Sequence, residues 1–312
     1  MNVESETGAR VMAQRLSLIL IGVLLVVLYG FGGNTEEVET RGHSAIGWMI
    51  SRWRDAGGDF SHAWAVPFLS LFLVWRQRRE LRAAPRRVNL AGAVVILASI
   101  ALYGLGVRGQ QTRLCLLSLV GLLWGMPLYF YGWEIARRLL FPCAYLLFCL
   151  PLTFLDNITV PLRLAASTVS TVILNGLGIP TVRSGTAIRS LSGEGFNLEV
   201  ADACSGLRSL LAMAALMAPY AYLTQKTMAR KWALFLLCLP IAAVGNAVRI
   251  ISVALVATAL GQARATGFYH DYSGYLFFAV VVLLAAGAGQ LMQRDFKAMV
   301  KRWKSTLSNR TS

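Results

Sequence analysis

Apolar runs recur along this chain at lengths close to what a bilayer demands, and they constrain its fold more than any other feature. Crossing roughly 30 Å of hydrocarbon at 1.5 Å per residue takes about 20 helical residues. Eight runs reach or approach that length: residues 16–33, 62–75, 88–107, 114–131, 139–155, 205–223, 232–260 and 274–293. The second is short for a span. The seventh is longer than one straight crossing requires, and Pro240 is placed to kink it. Only 14% of residues are charged and 56% are hydrophobic, against roughly a quarter charged in a soluble domain. The chain therefore reads as an all-α integral membrane protein of about eight transmembrane helices. With no internal repeat, low-complexity tract or separate soluble domain, residues 1–312 form a single polytopic domain on this reading.

A net charge of +15 raises the question of nucleic acid, but the basic residues fall in short clusters between apolar runs. That is the pattern of cytoplasmic loops facing the anionic lipid of the bilayer, and it argues against a nucleic-acid partner. Arg76, Arg78, Arg79, Arg82, Arg86 and Arg87 lie between the second and third runs. Arg137 and Arg138 lie between the fourth and fifth, and Lys226, Arg230 and Lys231 between the sixth and seventh. The tail carries Arg294, Lys297, Lys301, Arg302 and Lys304, and the start carries Arg10 and Arg15. Eight spans with both termini cytoplasmic put every cluster on one side. The first run resembles the core of a signal peptide, yet "LYGFGGNTEEV" offers no small-x-small cleavage site, so a retained anchor is expected.

Two extracytoplasmic segments follow from this topology, 34–61 and 156–203. In the first, Ile46, Met49, Ile50 and Trp53 recur at helical spacing and predict an amphipathic helix at the interface; a solvated loop anchored by tryptophans is the alternative. In the second, residues 162–179 are apolar but broken by Ser167, Thr168, Ser170 and Thr171, which predicts a helix packed on the bundle or re-entering the membrane. Beyond it Phe196, Leu198 and Val200 alternate with Asn197 and Glu199, and "SGEG" supplies turn residues. A small β-hairpin is thus expected to deliver the chain to Cys204.

The five cysteines are Cys115, Cys143, Cys149, Cys204 and Cys238. They form no C-x-x-C and no zinc-spaced cluster with histidine, so no metal or cofactor is implied. Cys143, Cys149 and Cys238 lie within spans and read as small buried hydrophobes. Cys115 and Cys204 begin helices on the outer side, where a disulfide between them is one reading. Against it, Cys204 stands at a helix start, followed by the turn Ser205-Gly206 and by Arg208 one helical turn on. Unpaired N–H groups, the helix dipole and a nearby cation all favour a thiolate.

Groups able to complete a site come from elsewhere in the chain. Asn246 and Arg249 share one face of the seventh run, and Arg249 lies about 25 Å along the helix from Trp232, near the outer boundary. An ionisable group in a span is a functional candidate by default. His270 opens the eighth run with Asp271 beside it, and the other histidines, His43 and His62, also fall outside. A thiol, a base and a fixed cation are what acyl transfer requires: a nucleophile, a proton shuttle and a partner for the oxyanion.

Three ordered motifs, "EVADACSGLRSL" (199–210), "PIAAVGNAVRI" (240–250) and "YHDYSGYLFF" (269–278), resemble the exosortase/archaeosortase family of multi-pass membrane cysteine transpeptidases. "GDFSHAWAVPFLSLFLVW" (58–75) is similar to that family's N-terminal serine-histidine segment. The resemblance covers most of the chain. It implies a plasma-membrane enzyme with an extracytoplasmic active site, acting on exported proteins that end in a recognition motif, a transmembrane helix and a basic tail. In bacteria such enzymes tend to accompany exopolysaccharide production. By motif Cys204 is the nucleophile, Arg249 the arginine and His270 the histidine. Arg208, Asn246, Asp271, Ser205 and Gly206 surround them as substrate-binding or supporting residues, and His62 competes for the base role. Asp271 either orients the imidazole or faces water. The alternatives are a membrane thiol–disulfide oxidoreductase, which needs a second reactive cysteine, and a noncatalytic component of an export or polysaccharide complex. A transporter is disfavoured because the spans lack Asp and Glu near the midplane.

Overall fold

The structure, a computed structural model, describes residues 16, 19–54, 60–151, 156–191, 196–199, 206–265 and 270–293. Its contacts divide the chain into two compact units, 1–152 and 153–312.

The first unit is helical: α1 (Ile19–Gly30), α2 (Val38–Arg41), α3 (Ala45–Arg54), a 3₁₀ turn at Ser61–Trp64, α4 (Ala65–Arg76), α5 (Arg78–Ala83), α6 (Leu90–Arg108), α7 (Thr112–Tyr131), α8 (Trp133–Tyr145) and a 3₁₀ turn at Leu146–Cys149. Asn89 caps α6 by accepting from the Ala91 N–H at 2.9 Å. A three-residue link returns the chain as α7. Glycine lets the two backbones touch at both ends of this hairpin. A Cβ on Gly92 would stand 2.2 Å from the Tyr129 nitrogen, and one on Gly106 would stand 2.7 Å from the Cys115 sulfur.

Polar side chains then tie helix ends to one another. Tyr29 Oη and Ser118 Oγ lie 2.6 Å apart, Thr112 Oγ1 donates to Asn34 Oδ1 at 2.9 Å, and Trp53 Nε1 donates to the Cys149 carbonyl at 2.8 Å. The helix expected in 34–61 exists as α3; Trp53 of the expected face is buried, as are Ala45 and Trp48, which pack with Tyr29, Leu116, Leu122 and Leu150, while Ile46 and Met49 are only partly buried. The fifth apolar run also differs from expectation. Its helix begins earlier, at Trp133, and regular structure ends at Cys149, with Leu150 extended at φ −82°, ψ 131°. Pro151 imposes that conformation, because its ring excludes the helical region for the residue before it.

The second unit comprises α9 (Asp156–Gly176), strands β1 (Thr181–Ser184), β2 (Ala187–Ser190) and β3 (Asn197–Glu199), then α10 (Gly206–Thr224), α11 (Met228–Leu236), α12 (Cys238–Leu260), a single turn at Gln262–Arg264, and α13 (His270–Gln293). The hairpin expected before Cys204 is a three-stranded antiparallel sheet in the order β1-β2-β3. Ser184 pairs with Ala187, leaving Gly185 and Thr186 as a two-residue turn with Gly185 at φ 62°, the left-handed start that such hairpins require. The long seventh run divides at Leu237, three residues before Pro240, whose missing N–H cannot reach the Leu236 carbonyl.

Among the described residues, Leu90–Arg108, Thr112–Tyr131 and the run Met228–Leu260 are each long and apolar enough to cross a membrane. Ile19–Gly30, Leu210–Thr224 and Phe277–Gln293 are shorter apolar helices.

Candidate active site

The sheet rests on helices through one face. Phe196, just before β3, and Leu198 within it are buried and Asn197 between them is exposed, the alternation the sequence predicts; Val200 lies outside the described residues. With Ile188 of β2 they join Ala166 and Leu174 of α9 and Ile250, Val253, Ala254 and Ala257 of α12 in one core, which also encloses Ala265. Asn175 anchors the start of the sheet: its Oδ1 accepts from the Thr181 N–H at 2.7 Å and its Nδ2 donates to the Thr181 carbonyl at 3.2 Å. The carboxyl ends of α9 and α12 therefore both meet the sheet.

Three helices approach that same end of the unit. At the far end, Gln225 Nε2 donates to the Gly289 carbonyl at 3.3 Å and Gln293 Nε2 to the Thr224 carbonyl at 3.4 Å. A Cβ on Gly289 would come within 2.4 Å of Tyr220 Oη. So α10 and α13 meet by their carboxyl ends. The same number of residues separates Gly206 from Gln225 and His270 from Gly289, roughly 28 Å of rise in each. Straight helices of that rise bring their first residues to about one level.

Between them α12 runs the opposite way. Its Gly245 is pressed against α13, where a Cβ would lie 2.8 Å from both Phe277 and Val281. Counting helical rise from that contact puts the Arg249 backbone about 7 Å below the first residue of α13, which an extended arginine side chain can span.

Of the residues singled out in the sequence, Arg249 is half-buried on α12, within the run Met228–Leu260 and next to Ile250 of the sheet core; its carbonyl accepts from Ser252 Oγ at 2.8 Å. Asn246, one turn below, is 5% exposed, and its Oδ1 has no hydrogen-bond partner among the described residues. Ser170 of α9 donates to the neighbouring Ala247 carbonyl at 3.4 Å. Gly206 is the first residue of α10, which also carries Arg208. Cys204 and Ser205 precede α10 and lie outside the described residues, as do the side chains of Arg208, His270 and Asp271. His270 and Asp271 are the first two residues of α13. His62 belongs to the first unit, half-buried in the 3₁₀ turn, with its ring 6.1 Å from Phe60.

Reading by residue chemistry passed over Asn175, Gly245 and Gln262. None is ionisable, and each acts through packing or an amide placed opposite backbone. Gln262 alone left a signal, since it directly follows Gly261, the helix stop at φ 89°.

These features define a multi-pass helical membrane protein whose second unit packs a small sheet on α9 and the carboxyl-terminal half of α12. The chain belongs to the transmembrane exosortase family (Exosortase_EpsH), which it matches over residues 53–287. At the family level this makes it a membrane transpeptidase. No curated protein and no solved structure matches the chain.

Proposed function

We propose that the protein is a cysteine transpeptidase or protease that removes the C-terminal sorting signal of exported proteins through a thioester acyl-enzyme. It crosses the plasma membrane eight times with both termini in the cytoplasm, and its active site faces the extracytoplasmic side. The substrate's helix enters the bundle laterally and leaves its recognition motif just outside the bilayer. Cys204, as thiolate, attacks the scissile carbonyl, and His270 holds the thiol proton as imidazolium. Arg249, aided by Arg208, balances the charge on the tetrahedral oxygen. The intermediate collapses as the C–N bond breaks, His270 gives its proton to the leaving amine, and a thioester remains on Cys204. An incoming amine, deprotonated by His270, completes transpeptidation; water in its place completes proteolysis.

The observation that supports this reading is that α10 and α13 join at their carboxyl ends, equal numbers of residues from Gly206 and His270, while the antiparallel α12 packs Gly245, one turn below Arg249, against α13. The reading is tested by Cys204→Ala. Processing of exported proteins that end in motif, apolar helix and arginines is lost while the protein still inserts and accumulates. Retained processing rejects Cys204 as nucleophile.

A further inference from the structure

The connection from α12 to α13 is fastened to β3 in two ways. Gln262 presents its carboxamide to the edge of β3 that β2 does not occupy. There the Asn197 N–H donates to Gln262 Oε1 at 3.2 Å, and Gln262 Nε2 donates to the Asn197 carbonyl at 3.1 Å. A primary amide used in this way imitates the next strand, matching both backbone groups of one edge residue. Three residues on, Ala265 is fully buried in the core that holds Phe196, Leu198 and Ile250. Asn197 and Gln262 are themselves exposed, so the paired bonds add nothing to that core. Nor are they needed to end α12, because Gly261 already does so, with its N–H on the Ala257 carbonyl at 3.0 Å.

We infer that Gln262 is a positioning residue for the thiol chemistry proposed above, on which this inference rests. Asn197 stands seven residues before Cys204, and Gln262 eight residues before His270. The amide clamp thus joins the strand that runs on to the nucleophile to the turn that leads into the base. A thiol and an imidazole act as a pair only when the backbones carrying them hold their separation closely. Ala265 fixes the depth of the turn; the two directional bonds of Gln262 fix its position along the strand.

The test is the alkylation rate of Cys204 by iodoacetamide in the full-length protein in native membrane vesicles, followed on the Cys204 peptide. The rate near pH 6 is divided by that near pH 9.5, where even an ordinary thiol is about nine-tenths ionised. Both rates come from one preparation, so expression yield cancels. Gln262→Ala lowers the ratio about tenfold, the worth of roughly one net hydrogen bond. Gln262→Glu sets a carboxylate against the Asn197 carbonyl. With the rate at each pH divided by that near pH 9.5, it follows Gln262→Ala above about pH 6 and returns toward wild type as the pH falls through about 4.3, where a protonated carboxyl donates as the amide did. An unchanged ratio in Gln262→Ala, or a Gln262→Glu profile that tracks Gln262→Ala down to about pH 4, overturns the positioning role. Processing retained by Cys204→Ala instead removes the reading beneath it, and the clamp's role with it.

Discussion

The two units use the same devices, close glycine contacts and side-chain amides or hydroxyls on backbone, to different ends. In the first, glycines seal the α6–α7 hairpin at both extremes, and polar bonds such as Trp53 to Cys149 and Arg113 to the Pro151 carbonyl at 3.0 Å tie neighbouring helix ends together. In the second, the polar bonds lie at the bottom of the helices (Gln225, Gln293) and at the sheet (Asn175, Gln262). The level between them is left to Arg249 and Asn246. In the first unit these bonds join neighbouring helix ends; in the second they flank the stretch of α12 that bears Asn246 and Arg249, the residues the proposed chemistry uses.

The sharpest way to break this contrast is at Arg249. If it stabilises a developing oxyanion, Arg249→Ala lowers processing by about 10²–10³-fold, the range for losing one such partner. Arg249→Lys keeps the charge but loses the planar fork, and recovers only part of the rate. A lysine variant at full rate would leave no geometric role for the guanidinium. Stability in detergent changes little in either variant, because the residue is only half-buried.

The opposite profile belongs to Gly92. An added methyl there meets the Tyr129 backbone nitrogen at 2.2 Å and its Cα at 2.5 Å, and a helix backbone cannot yield locally. Gly92→Ala is expected to cost about 1–3 kcal/mol, the usual price of overpacking, seen as a lower midpoint in thermal unfolding. Processing per folded molecule stays the same. A variant that unfolds normally but processes poorly would draw the first unit, which carries His62, into the chemistry.

Asn246 separates the two uses of polarity within one helix. Its carboxamide oxygen is buried without a partner among the described residues, so Asn246→Leu relieves a desolvation cost and leaves the fold intact or firmer. Processing nevertheless falls about tenfold, on the scale of a single hydrogen bond to the reacting complex. Unchanged processing together with higher stability would make the amide a passenger of the N-x-x-R spacing.

How much of this was legible in advance follows the physics of each segment. Runs 88–107 and 114–131 reappear as Leu90–Arg108 and Thr112–Tyr131 because burying apolar surface in lipid dominates there and hydropathy reads it directly. The fifth run's helix starts earlier than hydropathy marks, at Trp133, and helical backbone stops at Leu150, before Pro151; residues 152–155 of the run lie outside the described residues. Strand β1 was missed for a different reason: only Thr181 of its four residues is buried, so no alternation marks it, and its pairing is set by the Gly185-Thr186 turn. The chemistry of Cys204, Arg249 and His270 was readable as residue types. The parallel course of α10 and α13 follows from the eight-span topology, but the contacts that fasten them were not readable, since Gln225, Gln293 and Gly289 have no chemistry of their own.

The smallest expected effect bears on the thiol–disulfide alternative. A redox enzyme needs a second cysteine able to meet the first. Cys115 is the sequence's best candidate, being the other cysteine at a helix start. In the structure it is a free thiol, fully buried, with its sulfur 3.7 Å from the Tyr103 carbonyl and against the Gly106 backbone. A site that small accepts serine, which is shorter and can donate to the same carbonyl. Cys115→Ser is therefore expected to change processing by less than about twofold, with a stability loss of about 1 kcal/mol at most, within the usual spread for a conservative buried change. Processing that fell with Cys115→Ser as far as with Cys204→Ala would mean that both sulfurs take part in turnover, and a thioester on Cys204 alone would no longer describe the reaction.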